Sequence, residues 1–407
     1  MKRMFVDNED TSGNFSGFKW LIPWKREAVL VLEDGSVYKG YGFGSVGRKG
    51  GEVVFSTSMV GYTEAFTDPS YNGQILMLTY PLVGNYGVPS YDRKDEYGLP
   101  LNFESSSIKI EGLVVHEACF TPSHWASVKT LEDWLVEEGV PGIWGIDTRS
   151  LTIKLRERGV MLGIIESFKP GEKPEVEKLV EDVKRVEDPN KKDLVGEVAL
   201  LEEKVYEPKI KARGKVVLID CGVKNNIIRC ELRQGYRVIR VPYDTPFERI
   251  EEHDPDGVII SNGPGDPERC AQTIEVVKEV LEAGIPTLGI CLGNQIIALA
   301  EDARCYKMKF GHRSVNKPCI ERFSNRCFVT TQNHGFAVNP DSLPGDLEIW
   351  WTNADDKTVE GIFHEEKPCF AVQFHPEHDP GPRDTEFIFE IFTRMIKERK
   401  PLKKMMR

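Results

Sequence analysis

Pro286-Thr287-Leu288-Gly289-Ile290-Cys291-Leu292-Gly293-Asn294-Gln295 is the stretch that decides the architecture. Its first half is a short continuous apolar run, the pattern of a strand buried on both faces of a parallel sheet. A helix-periodic segment follows Cys291 directly. Gly289 and Gly293 stand two residues either side of the cysteine, a G-x-C-x-G form of the nucleophile elbow. Side chains at those two positions would collide with the backbone of so tight a strand-to-helix turn. A helix N-terminus stabilises an anion, so the turn favours a thiolate. The amide of Leu292 points outward there, where it can stabilise an oxyanion. A buried structural cysteine on a β–α turn has the same local sequence, so these residues alone leave both readings open.

Outward from this turn the grammar is strand, helix, strand, helix. Lys215–Asp220, Tyr236–Val241 and Gly257–Ser261 are apolar runs of strand length. A helix is predicted over Val223–Gln234 with Gly235 as its stop, and another over Glu268–Ala283 with Ile274, Val277 and Leu281 on its apolar face. That alternation predicts a doubly wound, open, mostly parallel sheet flanked by helices. Further strand-like runs lie at Cys327–Thr331, Leu347–Trp351 and Cys369–Phe374, and a last helix at Thr385–Glu398.

Upstream the chain is strand-rich. Ala28–Leu32, the turn Asp34-Gly35 and Val37-Tyr38 read as a hairpin. Strands are predicted at Gly50–Ser56, Gln74–Thr79 and Gly112–His116. Helices are predicted at Thr130–Glu138 and Asp147–Glu157, the latter capped by Asp147 or Thr148. From Lys169 to Arg213 Lys and Glu dominate, with one surface helix carrying Val176, Leu179, Val180 and Val183. The fold class is α/β. The predicted organisation is an extension over 1–27, a strand-rich mixed α/β domain over 28–205, a linker over 206–213, and the doubly wound domain over 214–400.

The chain has 407 residues, 53 Lys and Arg against 64 Asp and Glu, and a formal net charge of −11. An acidic chain lacks the basic face of a nucleic-acid binder, and no run approaches the length of a membrane span. The first 27 residues are too acidic and their apolar run too short for a signal or transit peptide. Nine cysteines with no C-x-x-C pair read as reduced thiols of a cytoplasmic protein, without a zinc ribbon or disulfide framework.

A thiolate nucleophile needs a base, and the base an orienter. Phe374-His375-Pro376-Glu377 supplies both at the end of an apolar run. His375 and Glu377 are two apart, on one face of an extended segment. Like Cys291 they lie at a strand's C-terminal end, where open α/β sheets build their sites. Ser261-Asn262-Gly263-Pro264-Gly265-Asp266-Pro267 is a loop of exposed amides after another strand. His334 reads as a structural group, and His116, His124, His253, His364 and His378 show no metal-ligand spacing on a predicted helix.

From Gly214 to about Ile396 the chain resembles the class I glutamine amidotransferases, through SNGPGDP (261–267), GICLGNQ (289–295), TQNHGFAV (331–338) and FHPE (374–377). Residues 28–165 resemble the amino-terminal domain of the small, glutaminase subunit of carbamoyl phosphate synthetase. The strings are LVLEDGSVYKG (30–40), GEVVFSTSMVGYTEAFTDPSYNGQI (51–75), LTYPLVGNYG (78–87) and GIDTRSLTIKLRERG (145–159). DCGVKNNIIR (220–229), MKFGH (308–312) and DPGPRDTEFIF (379–389) are similar to that subunit too. The resemblance implies L-glutamine as substrate, with Cys291 as nucleophile, His375 as proton carrier and Glu377 as its orienter. It implies an oxyanion hole from the amides of Gly263 and Leu292. Glutamine would be held by Gly265, Gln295, Asn333, Gly335 and Phe336, with Ser70 reaching in from the first domain. It implies a large ATP-grasp partner subunit, with ATP and Mg used only there and no cofactor in this chain. Position 294 is Asn where that subunit commonly has His, which predicts a packing change. Ser314-Val315 replace a glycine pair and Lys317 a His, which predicts an altered loop over 312–318 beside the glutamine pocket. Two other readings compete: a catalytically weakened structural or regulatory partner, and the glutaminase of another amidotransferase.

Overall fold

The structure is a computed structural model that describes residues 26–406. The predicted extension, apart from Arg26 and Glu27, lies outside the described residues. Glu27 opens the first strand.

Seven strands close into a barrel. They are β1 (Glu27–Leu32), β2 (Val37–Gly44), β3 (Gly47–Ser56), β4 (Gln74–Leu78), β5 (Gly112–Val114), β6 (Pro141–Trp144) and β7 (Met161–Ser167), in the order β1-β2-β6-β5-β4-β3-β7. The hairpin at Asp34-Gly35 pairs Leu30 with Tyr38. After Gln74 the run Ile75–Leu78 is apolar throughout, and both of its faces are buried. Ile75 and Met77 join Leu30, Val53, Val114 and Ile165 in one cluster. Leu76 and Leu78 join Val54 and Leu113 in another, with Trp134 and Leu135 of helix α1 (Leu131–Glu137). Thr130 caps that helix in a reciprocal box with Asp133. Asp147 accepts the Ser150 amide at 2.9 Å and caps α2 (Thr148–Arg158). The predicted surface helix is α3 (Val176–Asp182). Closure into a barrel is a feature the strand pattern did not disclose.

The second sheet has ten strands: β8 (Lys204–Tyr206), β9 (Lys215–Asp220), β10 (Arg237–Pro242), β11 (Gly257–Ile260), β12 (Thr287–Ile290), β13 (Cys305–Glu321), β14 (Cys327–Val338), β15 (Leu347–Asn353), β16 (Val359–His364) and β17 (Cys369–Val372). The order is β8-β10-β9-β11-β12-β17-β16-β15-β13-β14. The junctions from β10 through β9, β11 and β12 to β17 are parallel; the others are antiparallel. The sheet is therefore mixed, parallel in the half that carries the cysteine turn. Helices α4 (Asn225–Gln234) and α7 (Phe387–Glu398) cover Val216, Leu218 and Ile290 on one face. Helices α5 (Ala271–Glu282) and α6 (Leu292–Ala300) cover Val217, Ile219 and Ile260 on the other. Gly235 ends α4 in the left-handed region, φ +89°.

Two expectations change. Lys204–Tyr206, divided between the first domain and the linker in the sequence reading, pairs antiparallel with β10 and forms an edge strand of the second sheet. Residues 312–318 are not a loop but the middle of β13, with an irregularity in register between Ser314 and Lys317. Charged residues and Pro318 hide this strand from a hydrophobicity pattern. Its backbone is held by β14 on one side and by the barrel domain on the other, where Arg313 O accepts the Thr57 amide at 3.2 Å.

Candidate active site

Ile290 of β12 and Val372 of β17 are register partners, so the residues that follow each strand emerge side by side. Cys291 N donates to Val372 O at 2.8 Å, and Cys291 adopts φ +55°, ψ −101°. This left-handed backbone is the strained elbow expected of the turn. A Cβ on Gly289 would lie 2.6 Å from Gly293 O, and one on Gly293 would lie 2.2 Å from Ile260 O. Gly293→Ala therefore has to push β11 away from α6. We expect a fall in thermal stability of several degrees, of the size typical of overpacked cores at about 1–3 kcal/mol. An unchanged melting temperature would contradict the packing described.

Beyond β17 the chain bends back: His375 N donates to Thr331 O of β14 at 2.8 Å. His375 Nδ1 and Glu377 Oε1 are 2.6 Å apart, both fully buried. Glu377 Oε1 is 3.1 Å from Lys224 Nζ, which also donates to His378 O at 2.5 Å. Burial alone would lower the proton affinity of His375. The Glu377 carboxylate, then the Cys291 sulfur, outweigh it and raise the pKa to about 10. Burial would likewise raise Glu377, but Lys224 and then His375 hold it down to about 2. The imidazole thus carries its proton at neutral pH. Its Nε2 is buried and faces the Cys291 sulfur, which also raises its proton affinity.

Cys291 opens onto a narrow cleft. Its walls bring together all the residues singled out for substrate: Gly263 and Gly265 from the loop after β11, Leu292 and Gln295 from α6, Asn333, Gly335 and Phe336 from β14, and Ser70 from the barrel domain. Leu292 is the first residue of its helix, so its amide has no partner within the helix. Gly263 packs so close to Cys221 O that a Cβ would meet it at 2.1 Å. Ser70 lies in a short turn begun by Asp68, whose carboxylate accepts the Ser70 amide at 2.9 Å. That turn is clamped onto the second domain. Asn262 Nδ2 donates to Ser70 Oγ, and Asn333 Nδ2 to Asp68 Oδ2, each at 2.9 Å.

Sequence reasoning missed several groups here. Lys224 is 1% exposed and carries the counter-charge of Glu377. Glu52 of β3 and Lys307 of β13 line the cleft and pair at 2.7 Å, and Arg313 lines it too. No local signal marks these residues, because each gains its role from a strand of another region. His334 is buried and its Nδ1 donates to Phe336 O at 2.9 Å; burial pushes its proton affinity far down, so it is a neutral support of the cleft wall. His312 was not marked either. It bridges Asp356 at 2.8 Å and Glu360 at 3.2 Å and ties β13 to β16. His312, His334 and Glu360 come within reach of one another there, although no ligand spacing linked them in sequence. Ser314 and Val315 stand outside the cleft lining, although the neighbouring Arg313 is part of it. Ser314 Oγ instead accepts from Thr57 Oγ1 at 2.9 Å, across the domain junction. Asn294 does more than pack: fully buried, it donates to Gln373 Oε1 at 3.1 Å. All nine cysteines are free thiols. No helix among the described residues is long and apolar enough to cross a membrane.

Comparison with known proteins finds two family profiles. One, described as glutamine amidotransferase class-I, matches residues 217–395. The other, the CPSase domain of the carbamoyl-phosphate synthase small chain, matches residues 30–165. The carbamoyl phosphate synthase small chain of Methanocaldococcus jannaschii is 47% identical over 374 residues, covering 92% of this chain and 100% of that one. That of Methanopyrus kandleri is 45% identical, covering 91% of this chain and 99% of the relative. The multifunctional protein CAD of Squalus acanthias is 50% identical over 375 residues, covering 91% of this chain but only 16% of that protein. The chain thus spans about one sixth of such multifunctional relatives.

Proposed function

The chain belongs to the carbamoyl phosphate synthase small chain family, and from that premise we propose that its cleft hydrolyses L-glutamine to glutamate and ammonia. The observation that carries the reading is a cysteine on a strained elbow at the floor of the cleft, next to a buried, protonated His375 held by Glu377. The Cys291 thiolate attacks the side-chain amide carbon. The oxyanion forms against the amides of Gly263 and Leu292. When the C–N bond breaks, the leaving nitrogen takes the proton of His375 and departs as ammonia, leaving a γ-glutamyl thioester. His375, now neutral, takes a proton from water as the water attacks the thioester, and glutamate leaves. Glu377 keeps the imidazole in one tautomer and stabilises its charge. Ser70, Gly265, Gln295, Asn333, Gly335 and Phe336 hold the substrate's remaining atoms.

Ammonia then passes to a large ATP-grasp subunit that makes carbamoyl phosphate, and ATP and Mg act there. The site of work is the cytoplasm. The competing idea of a catalytically weakened partner rested on Ser314-Val315, and these residues lie outside the cleft lining. The test is glutamate release by the full chain, alone and with a carbamoyl phosphate synthase large chain. Slow release alone and strong stimulation by the large chain are expected. No release in either setting would overturn the reading.

The pH profile follows from His375. Its raised affinity means the proton donor is present at neutral pH and below and is lost only as pH rises through about 10. The alkaline limb of kcat/KM is therefore expected well above the range of an ordinary imidazole. Steady-state rates between pH 6 and 11 check this. A fall centred near pH 7 would contradict it.

A further inference from the structure

Gln373 lies between the strand β17 and the triad residue His375, and it is fully buried. Its amide faces three neighbours. Oε1 accepts from Asn294 Nδ2 and from Gln295 Nε2, both at 3.1 Å, and Nε2 lies 3.7 Å from the Cys291 sulfur. The orientation of that amide follows from an obligate acceptor. Gln295 Nε2 donates to the backbone carbonyl of Phe336 at 2.8 Å, so its NH₂ group has to face this corner. Its second hydrogen then has to meet an oxygen, which places Oε1 of Gln373 toward α6 and the NH₂ of Gln373 toward sulfur. The backbone is held as well: Gln373 N donates to Glu360 O at 2.9 Å. The thiol itself donates to Asn333 O at 3.6 Å, a contact that can serve only the protonated form. The thiolate has lost that bond and faces a carbonyl oxygen, so it needs donors elsewhere.

We propose that Gln373 is a hydrogen-bond donor to the Cys291 thiolate, held in place by Asn294 and Gln295, and that it keeps the nucleophile ionised and aimed before glutamine binds. The proposal rests on the reading of Cys291 as nucleophile. It gives position 294 a purpose, because Asn294 fixes the oxygen end of the amide whose nitrogen end touches sulfur. The charged and titratable groups that face the sulfur are His375, from the segment after β17, and Arg313, from β13. Gln373 adds to them a neutral donor whose strength does not change with pH. A hydrogen bond to a charged acceptor is stronger than one to a neutral acceptor, so the contact favours the thiolate over the thiol.

The test reads the thiol directly and does not depend on turnover. The full chain is treated with iodoacetamide across a pH range, and labelling of the Cys291 peptide is followed by mass spectrometry. Gln373→Met keeps the bulk of the side chain and removes the donor. Its labelling midpoint is expected to rise by about one pH unit. Its kcat is expected to fall about tenfold, with KM for glutamine changed less than about twofold. Gln373→Glu places a carboxylate oxygen against the sulfur and is expected to raise the midpoint further. A folded Gln373→Met or Gln373→Glu chain whose midpoint matches the parent overturns the proposal. Should both fail to fold, Asn294→Ala, which frees one end of the amide, is expected to move the midpoint the same way by a smaller amount, and an unmoved midpoint overturns the proposal there too. A shifted midpoint in a chain that never releases glutamate would leave the donor role intact and sink the glutaminase reading. Active turnover with an unshifted midpoint would do the reverse.

Discussion

Cys291→Ala is expected to lower glutamine hydrolysis by roughly three orders of magnitude or more, because it removes the sulfur placed in the cleft to form the thioester. The fold is expected to survive. Cys291 is 2% exposed, its sulfur makes only long contacts, and Ala is the smaller residue. Two measurements separate the effects: glutamate release for activity and thermal unfolding for stability. A third uses the complex with a large chain. Carbamoyl phosphate formation from added ammonium is expected to persist in the variant, because only the glutamine-dependent supply is broken. Near-normal glutamate release by Cys291→Ala would end the thioester mechanism.

Lys224→Met is expected to have the second largest effect, and on both stability and rate. Lys224 is held charged by Glu377 and by Glu104 of the barrel domain, despite complete burial. Removing it takes away the larger of the two positive neighbours that keep buried Glu377 ionised and leaves His375 alone to do so. Such losses typically cost about 3–5 kcal/mol, which corresponds to a fall in melting temperature of roughly 5–15 °C. With Lys224 gone, Glu377 no longer stays reliably ionised to hold His375, so kcat is expected to drop at least about tenfold. The double variant Lys224→Met, Glu377→Gln distinguishes the two contributions. Taking out both charges is expected to recover part of the stability, because the carboxylate that Lys224 neutralised is gone too, but none of the rate. Equal stability losses in the single and double variants would contradict the pairing.

Lys224 shows where sequence reading runs out. The stretch Lys215–Asp220 is visible as a buried strand, and the helix after it is visible through Ile227, Ile228 and Leu232. Nothing in Asp220-Cys221-Gly222-Val223-Lys224 says that the lysine points inward. It is drawn there by a carboxylate that arrives 153 positions later, at the end of β17. Gln373 is similar: read along the chain it is one polar residue between Val372 and Phe374, and only the neighbouring helix makes its amide a partner of Asn294 and Gln295. The strand β13 was invisible for a different reason. Its residues alternate poorly and include Lys, Arg, Asn and Pro, so its extended shape comes from pairing with β14 and β15 rather than from its own pattern.

By itself the chain's sequence determined the elbow, the His–Glu pair, the loop at 261–267 and the alternation that puts them at one edge of a parallel sheet. These are local: each depends on glycine sterics, on period-two placement or on a continuous apolar run, which act over a few residues. The tertiary structure alone decided that the first domain closes into a barrel, how its Asp68–Ser70 turn is clamped onto the second domain, and that Lys224 and Gln373 serve the triad. Those outcomes depend on burying charge and amide groups among partners far away in the chain. A buried polar group is tolerated only where its partners are already in place, and that condition is set by the whole fold.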